Sequence, residues 1–438
     1  MLLVPSLVAN YLLGGRIQRS SQRSYAKYWM LLGVILNLGL LGYFKYRNFF
    51  LSIGNDLLNT EITVVPLILP LAISFFTFQQ IAYLVDVYQA KVTPGRLANY
   101  SVFVVFFPQL IAGPIVHYNT INRQISAPAW RQFDVDLFAK GLMLFSIGLF
   151  KKVVIADNLA LFVNPIYEQA QAGQVVSSLD SVIAMFGYSF QLYFDFSGYA
   201  DMALGLAAMF GIRLPVNFAA PYRAASIIDF WQRWHMTLSQ FLRDYLYIPL
   251  GGNRHGKYRQ YGNLLITMLL GGLWHGAGWT FLLWGGIHGG LLVLNHLWRR
   301  CNSHWQISLN RPLCVLATFT LVSLAWVLFR AESFGAAQNI YYGLFHPQGV
   351  VTGLKHAFEL LSVSSILSLH PASVYLWLVV AALICLVLPT SQKFVGYQKE
   401  GAWEGAVYWR AALCGVLLFI AINRMSAMPV SEFLYFNF

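Results

Sequence analysis

Apolar residues in this chain run together, and polar ones collect between the runs. Apolar windows recur at 29–51, 62–84, 98–116, 137–155, 180–211, 262–273, 277–298, 313–330, 373–389 and 408–423. A helix needs about 20 such residues to cross a hydrocarbon core of about 30 Å. With a partial first segment in "MLLVPSLVANYLLGGRIQRS", the windows predict about ten or eleven membrane segments. That first stretch lacks a basic leader and a small-x-small cleavage site. It reads as the end of a spanning helix followed by a basic, cytoplasmic loop, not as a signal peptide. No inverted repeat of the transporter kind is visible. No linker longer than the stretch around 331–372 separates the spans, so residues 1–438 read as one membrane domain.

The pattern changes between Ile212 and Tyr261, where the chain becomes polar, aromatic and basic. Asp229 is the expected helix N-cap, and Pro249 with Gly251-Gly252 the stop. Trp231, His235, Leu238 and Leu242 fall at i, i+4, i+7 and i+11, which puts them on one helical face. Arg233, Arg243 and Asp244 fall elsewhere on the wheel. A helix this charged does not span lipid easily, so it is expected to lie in the interface or re-enter, buried against other helices.

Composition agrees with the pattern. Residues are 58% hydrophobic, 16% aromatic and 11% charged, whereas soluble chains carry about a quarter of their residues as charges. The fold class is therefore an all-α polytopic membrane protein. The net charge of +12, from 29 Lys+Arg against 17 Asp+Glu, would suggest nucleic acid in a soluble protein. Here the basic residues sit in short junctions, Arg16, Arg19, Arg23 and Lys27, then Arg254, Lys257 and Arg259. That placement fits cytoplasmic loops and anionic lipid headgroups, and not nucleic acid. Cys301, Cys314, Cys385 and Cys414 have no paired spacing, so neither a metal site nor a disulfide framework is indicated, and they read as small apolar fillers.

Polar residues inside apolar spans are the candidates for chemistry, because they are costly there and mark reaction or transport paths. His275 in "GGLWHGAGWTF" stands out, surrounded by Gly271, Gly272, Gly276, Ala277 and Gly278, which allow backbone or substrate to approach closely. His235 could orient a substrate, hold a proton or hydrogen-bond the first histidine. His288 lies thirteen residues after His275, about 140° off its face in a continuous helix, and need not share its site. Asp195 and Asp201 in "YFDFSGYADMALG" are expected to pair with Arg213, Arg223 or Arg233. Pro108 and Pro114 are expected to break their span and line a cavity. "LGGNRHG" lacks phosphate-loop spacing and reads as a turn.

"DFWQRWHMTLSQFLRDYLYIPLGGNRHG" followed by "GLWHGAGWTFLLWGGIHG" resembles the signature of the membrane-bound O-acyltransferase family. More narrowly it is similar to the bacterial alginate O-acetyltransferase branch and the related cellulose and D-alanine transfer proteins. "SFFTFQQIAYLVDVY", "FFPQLIAGPIVHY", "FDFSGYADMALGLAAMFGI" and "FLYFNF" resemble the same branch, so the likeness covers nearly the whole chain. It implies a ring of membrane helices around a tunnel, with His275 catalytic and His235 its support. Arg233, Trp234, Trp274, Gly276 and Asp195 are then the expected substrate contacts. Members of the branch usually carry about two more hydrophobic segments ahead of the part that "VANYLLGGRI" resembles, a departure that touches the outer edge of the fold and not the site.

The activity implied is acetyl transfer from a thioester to a sugar hydroxyl. His275, with an ordinary pKa of about 6.5, would take the hydroxyl proton. The His235 ring, a glycine N–H or Arg233 would meet the oxyanion. A thiolate leaves readily, so neither a strong acid nor a catalytic cysteine is required. The resemblance implies acetyl-CoA or another cytoplasmic thioester as donor, with no permanently bound cofactor. It also implies a periplasmic acetyltransferase and polysaccharide synthesis machinery as partners, and a multi-pass place in the bacterial inner membrane. Two other readings use the same residues: a transporter or flippase of a glycan or lipid precursor with the histidines as proton relays, and a b-type haem protein with histidine ligands. The missing inverted repeat counts against the first, and the lack of an in-register His pair on one helix against the second.

Overall fold

The computed structural model describes residues 2–65, 67–111, 113–346, 373–398, 407–427, 431, 433 and 434. Among them every regular element is helical. Three helices, Arg23–Leu58, Arg311–Arg330 and Tyr408–Ala427, are long and apolar enough to cross a membrane by length and composition, and Val374–Leu386 is a shorter apolar helix. Ile35 and Phe419 on two of them are about two-thirds exposed, the surface a lipid phase covers and water does not favour. The chain divides into two compact units, Met1–Leu142 with Ala203–Val216, and Met143–Met202 with Asn217–Phe438.

In the first unit α1 (Leu3–Arg19) packs on α2 (Arg23–Leu41), which runs through a π turn at Gly42–Tyr46 into α3 (Arg47–Leu58). In the window where a span is expected, 62–84, only the later part is helical, as α4 (Ile73–Tyr88) after a non-helical stretch. Amides tie α1, α2 and α4 together. Asn37 donates to Asn10 Oδ1 at 2.6 Å, and Asn10 donates to Asn37 and Gln80. Such interhelical bonds suit an interior from which water is excluded. α5 (Leu97–Val105) stops at Phe106, and α6 (Phe107–Leu110) restarts with Pro108 in its first turn, so the expected break is present. Proline is tolerated there because a first-turn N–H has no helical partner to lose. α7 (Tyr118–Ser126) follows.

α8 (Val135–Phe150) carries the chain into the second unit and passes through a π turn, Lys151–Ala156, into α9 (Asp157–Gln171). α10 (Ser178–Met209) is a single helix over the apolar window at 180–211. α8 and α10 touch through glycines. A Cβ on Gly148 would lie 2.5 Å from the Gly198 carbonyl, and one on Gly198 would lie 2.8 Å from the Gly148 carbonyl. Beside this contact Lys151 pairs with Asp201 at 2.6 Å, and Lys152 pairs with Asp195 at 2.8 Å and Asp157 at 2.7 Å. Gln392 also donates to Asp201, and the Leu434 N–H donates to Asp195 at 3.1 Å. The arginines expected as partners are therefore replaced by lysines from the facing helix. Arg223 donates instead to the carbonyls of Cys385 and Leu388, and Arg233 pairs with Asp229. Charges carried on packed helices find one another, because no water there competes for them.

The region from 227 to 247 is not the single helix that the periodicity predicts. Ser226, not Asp229, is the N-cap of α11 (Ile227–Trp231), its hydroxyl accepting from the Asp229 N–H. His235 then adopts left-handed backbone angles, φ 43° and ψ 54°, and caps α12 (Met236–Leu242), which ends in a π turn at Arg243–Tyr247. Trp231 and His235 thus do not share a helix with Leu238 and Leu242.

α13 (Lys257–His275) and α14 (Trp279–Trp305) form an antiparallel hairpin. Its inner seam is glycine. A Cβ on Gly285 would lie 2.3 Å from the Met268 carbonyl, and one on Gly289 would lie 3.1 Å from Leu265. α15 (Arg311–Arg330) packs on α14, and α16 (Phe334–Phe345) occupies part of the expected connector at 331–372. Residues 347–372 of that connector, and Tyr435–Phe438 of "FLYFNF", lie outside the described residues.

Candidate functional site

His275 is the last residue of α13, 3% exposed, at the tip of the hairpin. The chain turns there because Gly276 is extended (φ −158°, ψ 144°) and Gly278 starts the return. Three aromatic rings wall the imidazole: Trp274 at 4.9 Å between centroids, and Trp284 and Phe329 at 5.2 Å each. Trp284 from α14 and Phe329 from α15 meet it edge-on, so the cluster joins three helices around one titratable ring.

Gly276 has a steric reason to lack a side chain. A Cβ there would stand 2.1 Å from the Phe281 ring, which itself packs on Phe329 at 5.1 Å. The glycine therefore lets Phe281 brace the wall of the histidine.

His235 is fully buried. Its ring meets the edge of Phe196 at 4.8 Å and lies 6.4 Å from Trp274, so Trp274 neighbours both histidines. Its Nδ1 is 3.2 Å from Asn217 Oδ1. That oxygen also receives the Thr237 backbone N–H at 3.3 Å and the Thr237 hydroxyl at 3.0 Å. No motif marked Asn217 in the sequence; only its place in the polar stretch "RLPVNFAAPY" could have drawn attention to it.

His288 belongs to the same cluster, which corrects the expectation from a continuous helix. The chain reverses between Gly276 and Gly278, and both His275 and His288 pack on Trp284, the latter at 4.9 Å. The Trp231 indole N–H donates to His288 Nδ1 at 3.3 Å. An indole N–H can only donate, so neutral His288 carries its proton on Nε2.

The remaining expected contacts fall in different places. Trp274 lies between the two histidines, as described. Trp234 is buried among Phe218, Phe230 and Trp326, and Trp326 stacks on Trp284. Arg233 is half-buried, bound to Asp229 at 2.6 Å and to the Ala219 carbonyl at 3.4 Å. Asp195 is 1% exposed and held by Lys152. Among the described residues no group of three or more His, Cys, Asp or Glu is arranged to hold a metal.

This arrangement provides a buried imidazole at a helix end, a second one a single indole away, and aromatic walls that exclude water. It suits proton transfer in a dry site. Comparison with known proteins gives the reaction class. The family described as MBOAT, membrane-bound O-acyltransferase, matches residues 92–322. A peptidoglycan O-acetyltransferase of Helicobacter pylori is 40% identical, over 100% of this chain and 87% of its own length. A probable alginate O-acetylase of Azotobacter vinelandii is 38% identical over 98% of this chain and 89% of its own, and one of Pseudomonas putida is 37% identical over 98% and 88%.

Proposed function

The chain belongs to the membrane-bound O-acyltransferase family, and on that premise we propose that this membrane-bound O-acyltransferase moves an acetyl group from a cytoplasmic acyl thioester, acetyl-CoA or another, toward a hydroxyl of a cell-envelope polysaccharide. The transfer is made directly or through a periplasmic partner acetyltransferase. The ten or eleven spans, the central tunnel and the inner-membrane location form part of the same proposal.

The observation that carries this reading is His275, buried at the hairpin tip among Trp274, Trp284 and Phe329. As the acceptor hydroxyl adds to the thioester carbonyl, its proton passes to the imidazole. Collapse of the tetrahedral adduct breaks the C–S bond, and the thiolate leaves with a pKa low enough to need no strong acid. The aromatic walls keep water from taking the place of the acceptor hydroxyl. Trp274 and Gly276 are the expected contacts that lie against this ring. Asp195, held by Lys152, and Arg233, held by Asp229, support the scaffold in this reading.

His275→Ala tests it in a host whose own family members are deleted. O-acetyl esters released from the envelope glycan by mild base fall to background while the protein still reaches the membrane. Wild-type ester levels in that variant would refute the reading.

A further inference from the structure

We propose that Asn217 is a positioning residue that holds His235 with its proton on Nδ1 and its lone pair on Nε2, so that in acyl transfer His235 accepts a hydrogen bond at Nε2, while His275 takes the hydroxyl proton, and does not serve as an oxyanion donor. The inference rests on the acyl-transfer reading above and assigns the second histidine its hydrogen-bonding role.

The argument begins with the amide. An asparagine side chain has an oxygen that accepts and a nitrogen that donates, and the two look alike in shape. Here the neighbours settle which is which. The Thr237 backbone N–H can only donate, and it points at the side-chain atom that also faces Thr237 Oγ1 and His235 Nδ1. That atom must be the oxygen. An oxygen of this kind only accepts, so His235 Nδ1 must carry the hydrogen that reaches it. In neutral imidazole the other nitrogen then bears the lone pair.

The backbone fixes the geometry independently of the side chain. The Asn217 carbonyl accepts the Met236 N–H at 2.9 Å, and the Ala219 N–H donates to the Arg233 carbonyl at 3.0 Å. Residues 217–219 are thereby laced to both sides of His235. The left-handed conformation of His235 costs about 1–2 kcal/mol for a residue with a Cβ. It turns the chain so that the ring and the next two residues all reach Asn217.

The choice of asparagine over aspartate has a chemical meaning. Asn217 is 1% exposed, and its Nδ2 has no hydrogen-bond partner among the described residues. An aspartate would accept the same three donors without leaving a buried amide unbonded, but its charge would favour imidazolium. A neutral carboxamide orients the ring and leaves it basic. His288 shows the opposite setting, its Nδ1 receiving the Trp231 N–H. The His235 ring meets Phe196 and Trp274, and Trp274 in turn meets the titratable ring of His275. Asp195, next to Phe196 in sequence, is occupied by Lys152.

Two measurements on the full chain in native membranes test the proposal. The first is the nitrogen-15 spectrum of labelled histidines, with His235 assigned by its loss in His235→Gln. The expected result is a protonated Nδ1 and an unprotonated Nε2 for wild-type His235. The second is acetyl-CoA consumption as a function of pH. Asn217→Ala should lower kcat about 10- to 100-fold, with KM for acetyl-CoA changed less than threefold. Asn217→Asp should move the acid limb of the kcat profile to higher pH, because its carboxylate favours the protonated ring, which cannot accept. A residue that only supported the fold would not move that limb. A proton on Nε2 of wild-type His235, or an unmoved limb in Asn217→Asp, overturns the proposal. If the Asn217 variants aggregate, the wild-type spectrum decides alone. Retained acyl transfer in His275→Ala would instead count against the functional reading and would leave the tautomer measurement intact.

Discussion

Replacing Gly276 by alanine adds one carbon to the turn that carries His275, and the structure gives the size of the disturbance. The new Cβ would sit 2.1 Å from Phe281 Cε2, 2.3 Å from Cδ2 and 2.7 Å from Cζ. Carbon atoms rest at about 3.5–4.0 Å, so the ring must retreat by about 1.4–1.9 Å, or the turn must move by as much. The backbone angles themselves suit alanine, which leaves the Phe281 ring as the nearest obstacle. Overpacking of this kind costs about 1–3 kcal/mol. The strain has a direct route to the site, since Phe281 leans on Phe329 and Phe329 on the His275 imidazole. A shift of about 1 Å in a catalytic group can lower a rate about 10²-fold. Gly276→Ala should therefore lower envelope O-acetylation about 100-fold at unchanged membrane level. Phe281→Ala, which removes the obstructing ring, should make the same glycine change nearly neutral. The cycle predicts a coupling of about 2.7 kcal/mol, up to roughly a 100-fold difference in the effect of Gly276→Ala between the two backgrounds. An equal loss in both backgrounds would refute the steric argument and point to a glycine needed for substrate approach.

Two further outcomes follow from the charges. Lys152→Ala strands Asp195, whose side chain is 2% exposed, and should lower stability in detergent by about 3–5 kcal/mol. Adding Asp195→Asn should recover part of the loss, and thermal unfolding that shows no recovery would mean the pair is not the cause. In a variant lacking the four native cysteines, new cysteines at Arg19 and Lys257 should resist a membrane-impermeant thiol reagent in intact cells and label after permeabilisation. Labelling in intact cells would place those basic loops, and thioester entry from their side, outside the cytoplasm.

The chain's all-helical class and the place of His275 at a glycine-rich turn were legible because they depend on local features, namely apolar runs and a histidine set among glycines. Pro108 announced the break between α5 and α6 for the same reason. The helix expected around His235 failed because its apolar spacing is satisfied by two short helices as well as by one. The break needs neither proline nor glycine, only the long-range bonds from Asn217 and Ala219. The partners of Asp195 and Asp201 were misread although a signal existed: Lys151 and Lys152 interrupt an apolar run, and buried cations there need buried anions. His288 was set apart by a rotation that assumes an unbroken helix, whereas "GAG" reverses the chain.

The glycine seam between α13 and α14 also bears on how the protein is made. A Cβ on Gly285 would lie 2.3 Å from the Met268 carbonyl, so the two helices meet too closely for a side chain at that point of the seam. The hairpin's open end carries Lys257 and Arg259 at one terminus and Arg299 and Arg300 near the other, so if the pair enters the membrane as proposed above, both helix ends would be drawn to the same leaflet. The two segments are thus suited to leave the insertion machinery together, as a closed pair with the histidine at its apex. The tip that carries His275 would then be shaped during synthesis, before residues after Trp305 are in place, and the later helices would arrive at a turn already formed.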